Sequence, residues 1–166
     1  MNGKTSHQKW AYPAKSVSIS DVGKVLGRVR LSRLTDESTS ESRQREVIEQ
    51  WAKANDHEIV GFAVDLDVSG GVDPFETPEL GDWLNNRASE FQIIAAWKLD
   101  RLGRDAIRLN KLFGWCIDRG IAVASCTEGI DLNTPVGRLI ANVIAFLAEG
   151  EREAIRERVS ASHHDA

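Results

Sequence analysis

From Val25 onward the apolar positions form short blocks whose spacing alternates between two residues and three to four. In Val25-Leu26-Gly27-Arg28-Val29-Arg30-Leu31-Ser32, apolar Val29 and Leu31 alternate with polar Arg28, Arg30 and Ser32, as a strand with two different faces requires. Arg30 and Ser32 therefore share a face. A polar loop from Thr35 to Ser40 leads to a first amphipathic helix that begins at Glu41 and carries Val47, Ile48, Trp51 and Ala52 at helical spacing. Glu58 to Leu66 predicts a second strand, and the glycines of Asp67-Val68-Ser69-Gly70-Gly71, with Pro74 and Pro78 beyond, predict the loop after it. Leu80, Trp83 and Leu84 suggest a short helix, and Phe91 to Trp97 is the near-continuous apolar run of a buried parallel strand. Asp105 caps the next predicted helix, with Leu109, Leu112, Phe113 and Cys116 on its apolar face and Gly120 at its end. Ile121 to Ala124 follows as a fourth short strand. Pro135 opens a long helix with a stripe of Val136, Leu139, Ile140, Val143, Ile144 and Leu147, strongly charged from Glu149 to Arg158.

This alternation of strands and helices predicts an α/β fold, a mostly parallel sheet of about four to five strands flanked by helices. The long helix is too apolar along its stripe for a domain this small to cover, so a second subunit is expected on it. The chain divides into a flexible N-terminal arm (1–24), an α/β body (25–134), the long helix (135–160) and a tail (161–166). At 166 residues one domain is expected, and a composition of 42% hydrophobic and 28% charged residues is that of a globular protein. The apolar runs are too short to cross a bilayer and the N-terminus lacks the apolar core of a secretory signal. Two cysteines, Cys116 and Cys126, read as reduced core residues, so a cytoplasmic setting is expected.

Net charge is −4, so contact with nucleic acid has to come from local basic clusters. One lies between Lys98 and Lys111, where five basic residues face two acidic ones; in another, Arg28, Arg30 and Arg33 crowd around Ser32. In open parallel sheets the loops at the carboxyl ends of the strands build the site. Arg30-Leu31-Ser32 and Lys98-Leu99-Asp100-Arg101-Leu102-Gly103-Arg104 both occupy such ends, so a serine hydroxyl should share one rim with several guanidinium groups and a carboxylate. That set suits attack on a phosphodiester, because arginine presents permanently charged, planar donors that match phosphate oxygens. Two roles are open to Asp100: proton transfer, or orientation of Arg30 or Arg101.

Taken singly, each signal has a plainer reading. A serine after a strand is common in turns, arginines form solvated rims, and Gln44 in a first helical turn reads as a capping-box partner. Other chemistries fare worse. His7, His163 and His164 lie in terminal segments, His57 is isolated, and no Gly-x-Ser-x-Gly elbow occurs, which argues against a serine hydrolase triad. Two separated cysteines without a nearby histidine make no zinc site, and Gly3-Lys4-Thr5 lacks the earlier glycine of a phosphate-binding loop. No metal or organic cofactor is called for.

In combination the segments resemble the serine recombinase (resolvase/invertase) family, and within it the large serine integrases of phages and mobile elements, from about Leu26 to Val159. Trp97-Lys98-Leu99-Asp100-Arg101-Leu102-Gly103-Arg104 carries the resemblance most strongly. Arg30-Leu31-Ser32-Arg33 is similar to the nucleophile motif, Ser42-Arg43-Gln44 to the following helix start, and Asp65-Leu66-Asp67-Val68-Ser69-Gly70 to the second-strand loop. Glu128-Gly129-Ile130-Asp131 with Pro135-Val136-Gly137-Arg138 resembles the lead into the family's long helix, and Ala148-Glu149-Gly150-Glu151-Arg152-Glu153 a stretch within it.

The resemblance implies Ser32 as nucleophile, Arg30, Arg101 and Arg104 as binders of the scissile phosphate, Gln44 and Asp100 in support, and Arg152 near the DNA and the active site. It implies DNA cleavage and rejoining through a 5′-phosphoserine intermediate, without ATP or metal. The implied partners are double-stranded DNA attachment sites, further copies of the chain (a dimer, and a tetramer in the synapse), and a directionality factor as a further candidate. The setting implied is the cytoplasm of a bacterial host. Two departures stand out: Thr77 occupies the place before Pro78 where the family often has arginine, and the chain stops at Ala166 where family members continue into DNA-reading domains, as an excised catalytic domain would. Rival readings are a non-catalytic dimerisation module of the same fold and a serine-dependent DNA nuclease.

Overall fold

The computed structural model describes residues 23–32, 40–67, 72–132 and 134–164. The expected arm up to residue 22, most of the Thr35–Ser40 loop, the glycines of the second loop and the last two residues lie outside them. The elements run β1 (Lys24–Ser32), α1 (Glu41–Ala54), β2 (Glu58–Asp67), α2 (Pro78–Asn86), β3 (Ile93–Ala96), α3 (Ala106–Arg119), β4 (Ala122–Ser125), β5 (Ile130–Asp131) and α4 (Pro135–His164). Short 3-10 turns at Pro74–Glu76, Ala88–Glu90 and Leu99–Arg101 join them. The strands form one sheet in the order β2-β1-β3-β4-β5, parallel except for the antiparallel β4–β5 pair.

Each helix starts where the sequence supplies an acceptor for its free amides. Ser40 caps α1, Thr77 caps α2 ahead of Pro78, and Asp105 caps α3 by accepting from the Arg108 amide at 2.9 Å. Gly120, at φ 70°, closes α3 in the left-handed conformation that glycine adopts without strain.

The period of two along the strands sorts the core into two layers. Leu26, Ile94, Ala96 and Val123 face one way, against Leu80, Trp83 and Leu84 of α2 and Leu112, Phe113 and Cys116 of α3. Val25, Val29, Ile93, Ala95, Ala122 and Ala124 face the other way, toward Ile48 of α1. The sheet is therefore covered on both faces, as a parallel sheet must be. Both cysteines are free; burial pushes the thiol of Cys126 up to about 12 and raises that of Cys116 further, so both are inert.

Three differences from the expected elements have simple causes. The third strand is trimmed to Ile93–Ala96, because Phe91 instead packs its ring edge-on against Trp83, with centroids 6.1 Å apart. The lead into the long helix contains a two-residue strand, β5, too short for periodicity to reveal. The long helix continues to His164, four residues past its expected end.

The apolar stripe of α4 is only partly used within the molecule. Ala141 and Ala148 are buried and Ile144 packs on the core, whereas Val136, Leu139, Val143, Phe146, Leu147, Ile155 and Val159 are exposed. The helix comes close to β5 at Gly137, where a Cβ would stand 2.0 Å from the Asp131 carbonyl oxygen. Among the described residues no helix is long and apolar enough to cross a membrane.

Candidate active site

The carboxyl ends of β1, β2 and β3 lie side by side, because these strands pair in parallel with Arg30 opposite Asp65, Ser32 opposite Asp67, and Arg28 opposite Ala96. The chain leaving β3 turns at once into Leu99–Arg101, which brings the second basic motif against the first. Arg30 donates from Nη2 to the Asp100 carbonyl oxygen at 2.6 Å. The expectation that both motifs share one rim is met.

A cleft opens at this rim, lined by Arg28, Arg30, Asp65, Leu66, Val72, Pro74, Thr77, Pro78, Arg101, Leu102, Gly103 and Arg104. Four of these residues are arginines and one is an aspartate, a net excess of three positive charges. Three of the arginines singled out from sequence, Arg30, Arg101 and Arg104, are thus gathered from β1 and from the loop after β3. Ser32 is the last residue of β1, two positions beyond Arg30 and so on the same strand face; its side chain lies outside the described part of the structure.

Arg101 is held at its rim. Its Nη1 stands 3.7 Å from the Asp100 carboxylate and its guanidinium carbon 5.1 Å from the centre of the Trp97 ring. Among the described residues its buried Nε has no hydrogen-bond partner. The Asp100 side chain is 60% exposed, a solvated position that suits orienting a neighbouring cation.

Gln44 is not the capping-box partner that its place in a first helical turn suggested. Ser40 is the cap, its hydroxyl accepting from the Arg43 amide, and Gln44 lies one residue further on. There it is 1% exposed and donates from Nε2 to the Arg30 carbonyl oxygen at 3.2 Å. Its tertiary role follows from position: the α1 turn that faces β1 must satisfy a strand carbonyl beyond the reach of β3. Thr77 lines the cleft where an arginine was expected. Its hydroxyl donates to the Pro74 carbonyl at 2.8 Å and accepts from the Gly81 amide at 3.2 Å, so the residue serves the start of α2.

Arg152 is not among the cleft residues. It borders a groove between α3 and α4 with Ile107, Asn110, Lys111, Trp115 and Asp118, and its Nη1 lies 3.7 Å from Glu149.

Sequence reasoning missed a buried ion pair beneath the cleft. Arg28 is 2% exposed, and its Nη1 donates to Asp65 Oδ2 at 2.5 Å. Asp65 also accepts from the Glu79 amide at 2.8 Å and the Leu80 amide at 3.0 Å, at the N-terminus of α2. Burial pushes the Asp65 carboxyl upward, but these two amides and the guanidinium outweigh it and hold the group below the usual carboxylate range. The clue available was Arg28 on the same strand face as Leu26, a charge amid core positions that demands a buried partner.

The layered sheet with its basic cleft defines the family of resolvase N-terminal domains, and this chain belongs to it: the family model described as "Resolvase, N terminal domain" matches residues 25–166. Among particular relatives, the chain is 44% identical over 75 residues to the serine recombinase gin of Escherichia phage Mu, covering 45% of this chain and 39% of that protein. It is 30% identical over 138 residues to the serine recombinase PinR of Escherichia coli (strain K12), covering 82% of this chain and 67% of the relative. The chain thus spans as little as 36% of the length of the relatives it matches.

Solved structures agree on the fold. The N-terminal catalytic domain of TP901-1 integrase superposes with a TM-score of 0.66 at 25% identity, covering 79% of this chain and 98% of that one. A resolvase family site-specific recombinase from Streptococcus pneumoniae gives a TM-score of 0.68 at 23% identity, covering 87% and 97%.

Proposed function

We propose that this chain is the catalytic domain of a site-specific DNA recombinase that cleaves and rejoins DNA through a covalent 5′-phosphoserine link. The observation that carries this reading is the convergence of Arg30, Arg101 and Arg104 on one cleft at the end of the strand that terminates in Ser32. In this reading the Ser32 oxygen attacks the scissile phosphorus, the bond to the 3′ oxygen breaks, and that oxygen leaves with a proton. The hydroxyl of Ser32 gives up its own proton as the ester forms. The energy of the broken bond is kept in the phosphoserine ester, so attack by a 3′ hydroxyl of another strand reverses the step without ATP or metal.

Arg30, Arg101 and Arg104 neutralise the charge that builds on the non-bridging oxygens; removal of one such donor costs about a hundredfold to a thousandfold in rate. Gln44 holds the strand backbone at Arg30. For Asp100, the 3.7 Å approach to Arg101 supports orientation of that cation over proton transfer. Arg152, outside the cleft of its own chain, would meet DNA in an assembly of several copies.

The partners in this reading are double-stranded attachment sites, further copies of the chain associating through the exposed stripe of α4 as a dimer and then a tetramer, and a directionality factor. The setting is the cytoplasm of a bacterial host. The domain division is an N-terminal arm, an α/β body to residue 134 and the α4 helix as oligomerisation element.

The test is covalent trapping. Full-length protein incubated with DNA bearing its crossover site should yield a protein–DNA adduct, and Ser32→Ala should abolish it. An undiminished adduct in that variant refutes the nucleophile assignment, and broken DNA without recombinant products identifies a nuclease instead.

A further inference from the structure

Each residue of the Leu99–Arg101 turn is held at the backbone by its own charged side chain: Glu128, which follows β4, and Arg30 and Arg28, both of β1. The Leu99 amide donates to Glu128 Oε1 at 2.9 Å. The Asp100 carbonyl accepts from Arg30 at 2.6 Å, and the Arg101 carbonyl accepts from Arg28 Nε at 3.4 Å. Within itself the turn has bonds from the Arg101 amide to the Lys98 carbonyl at 3.0 Å and from the Leu102 amide to the Leu99 carbonyl at 2.9 Å, and Leu99 and Leu102 pack on the core. It is three residues long, and Lys98 before it provides no side-chain cap, so the first amide is satisfied from outside.

The two outer anchors are themselves tied down. Glu128 Oε1 also accepts from the Ser125 hydroxyl at 2.6 Å, and Ser125 is 1% exposed at the end of β4. Arg28 is buried and locked through Asp65 to the first amides of α2. One side of the turn is therefore fastened to β4 and the other to β2 and α2. Among the described residues the Arg101 guanidinium is steadied by the 3.7 Å approach of Asp100 and the 5.1 Å approach of Trp97, so its place in the cleft depends on this backbone.

We propose that Arg28 and Glu128 are positioning residues: they clamp the Leu99–Arg101 turn so that the Arg101 guanidinium stands at a fixed point in the cleft, without touching the reacting atoms. The proposal rests on the recombinase reading above. Misplacement of a catalytic group by about 1 Å can cost about a hundredfold in rate, so a clamp on the backbone is worth as much as a direct contact.

The test uses Arg28→Lys, Glu128→Ala and Glu128→Gln. A lysine still offers Asp65 a cation but lacks the Nε–H that Arg28 donates to the Arg101 carbonyl. Alanine removes the Leu99 acceptor from a surface position, where misfolding is not expected, and glutamine restores an oxygen there. Two readouts are taken: amide hydrogen exchange at Leu99, Arg101 and Leu102 without DNA, and the single-turnover rate of adduct formation by the full-length protein at saturating DNA.

We expect faster exchange at the turn in Arg28→Lys and Glu128→Ala, adduct formation slowed by about a hundredfold with DNA affinity unchanged, and recovery of both in Glu128→Gln. Unchanged exchange at the turn overturns the clamp whatever the DNA assay shows. Faster exchange with a wild-type cleavage rate overturns its role in the reaction. A wild-type protein that forms no Ser32-dependent adduct refutes the recombinase reading, and the positioning role falls with it, while the exchange data still report on the clamp alone.

Discussion

The Arg28–Asp65 pair gives the sharpest prediction about stability. Replacing Asp65 by alanine leaves a guanidinium that is 2% exposed without its counter-charge, and strips the acceptor from the Glu79 and Leu80 amides. Breaking a buried pair from one side costs about 3 to 5 kcal/mol, because the remaining charge stays desolvated and uncompensated. Each orphaned amide adds on the order of 1 kcal/mol where water cannot reach it, which places the variant toward the upper end of that range.

Urea denaturation at pH 7, followed by circular dichroism, should show a lower midpoint with an unchanged slope. The milder Asp65→Asn keeps an oxygen for the α2 amides and should lose less. The pH dependence carries a sign as well. Asp65 has a folded-state value below its ordinary 3.8, so its contribution is present above that value and is lost as pH falls through the depressed one. Wild type should therefore lose stability across that acid window, and Asp65→Asn should be flatter through it. A loss below about 1 kcal/mol for the alanine variant, against the 3 to 5 kcal/mol of a broken buried pair, refutes the argument.

Two further outcomes follow from packing. Gly137→Ala puts a methyl 2.0 Å from the Asp131 carbonyl oxygen and 2.5 Å from the Leu132 Cα, both backbone atoms, so the start of α4 must shift; a loss of about 1 to 3 kcal/mol in the same denaturation assay is expected, and wild-type stability counts against it. Leu139→Glu with Phe146→Glu places charge on apolar positions of α4 that are exposed among the described residues; sedimentation should show weaker self-association with unchanged folding, and unaltered association removes this face as the interface.

The order of elements was legible because each followed from local spacing. Alternation marks β1, a run of β-branched and apolar residues marks β2, helical spacing marks α1 and α3, and Asp105 and Gly120 mark the ends of α3. The basic motifs were legible for the same reason, since each is contiguous. Their meeting on one rim could be argued because parallel strands bring their carboxyl ends to one edge of a sheet.

Other features depend on neighbours distant in sequence. Gln44 read as a helix cap because local context alone offers that role; the strand carbonyl it satisfies lies 14 positions away. Arg28 read as one of three arginines crowding Ser32; the carboxylate that neutralises it, Asp65, lies 37 positions further on. Glu128 stood out only as part of a motif resembling the lead into the long helix, with no role attached, yet it reaches across 29 positions to the Leu99 amide. Amphipathic period and contiguous charge are properties of one stretch of chain, so the sequence by itself determined the α/β class, the long helix and the two basic motifs. A hydrogen bond between remote segments exists only once packing has brought them together, so tertiary structure alone decided which buried charges pair, which groups grip the Leu99–Arg101 turn, and that Arg152 lies apart from the cleft.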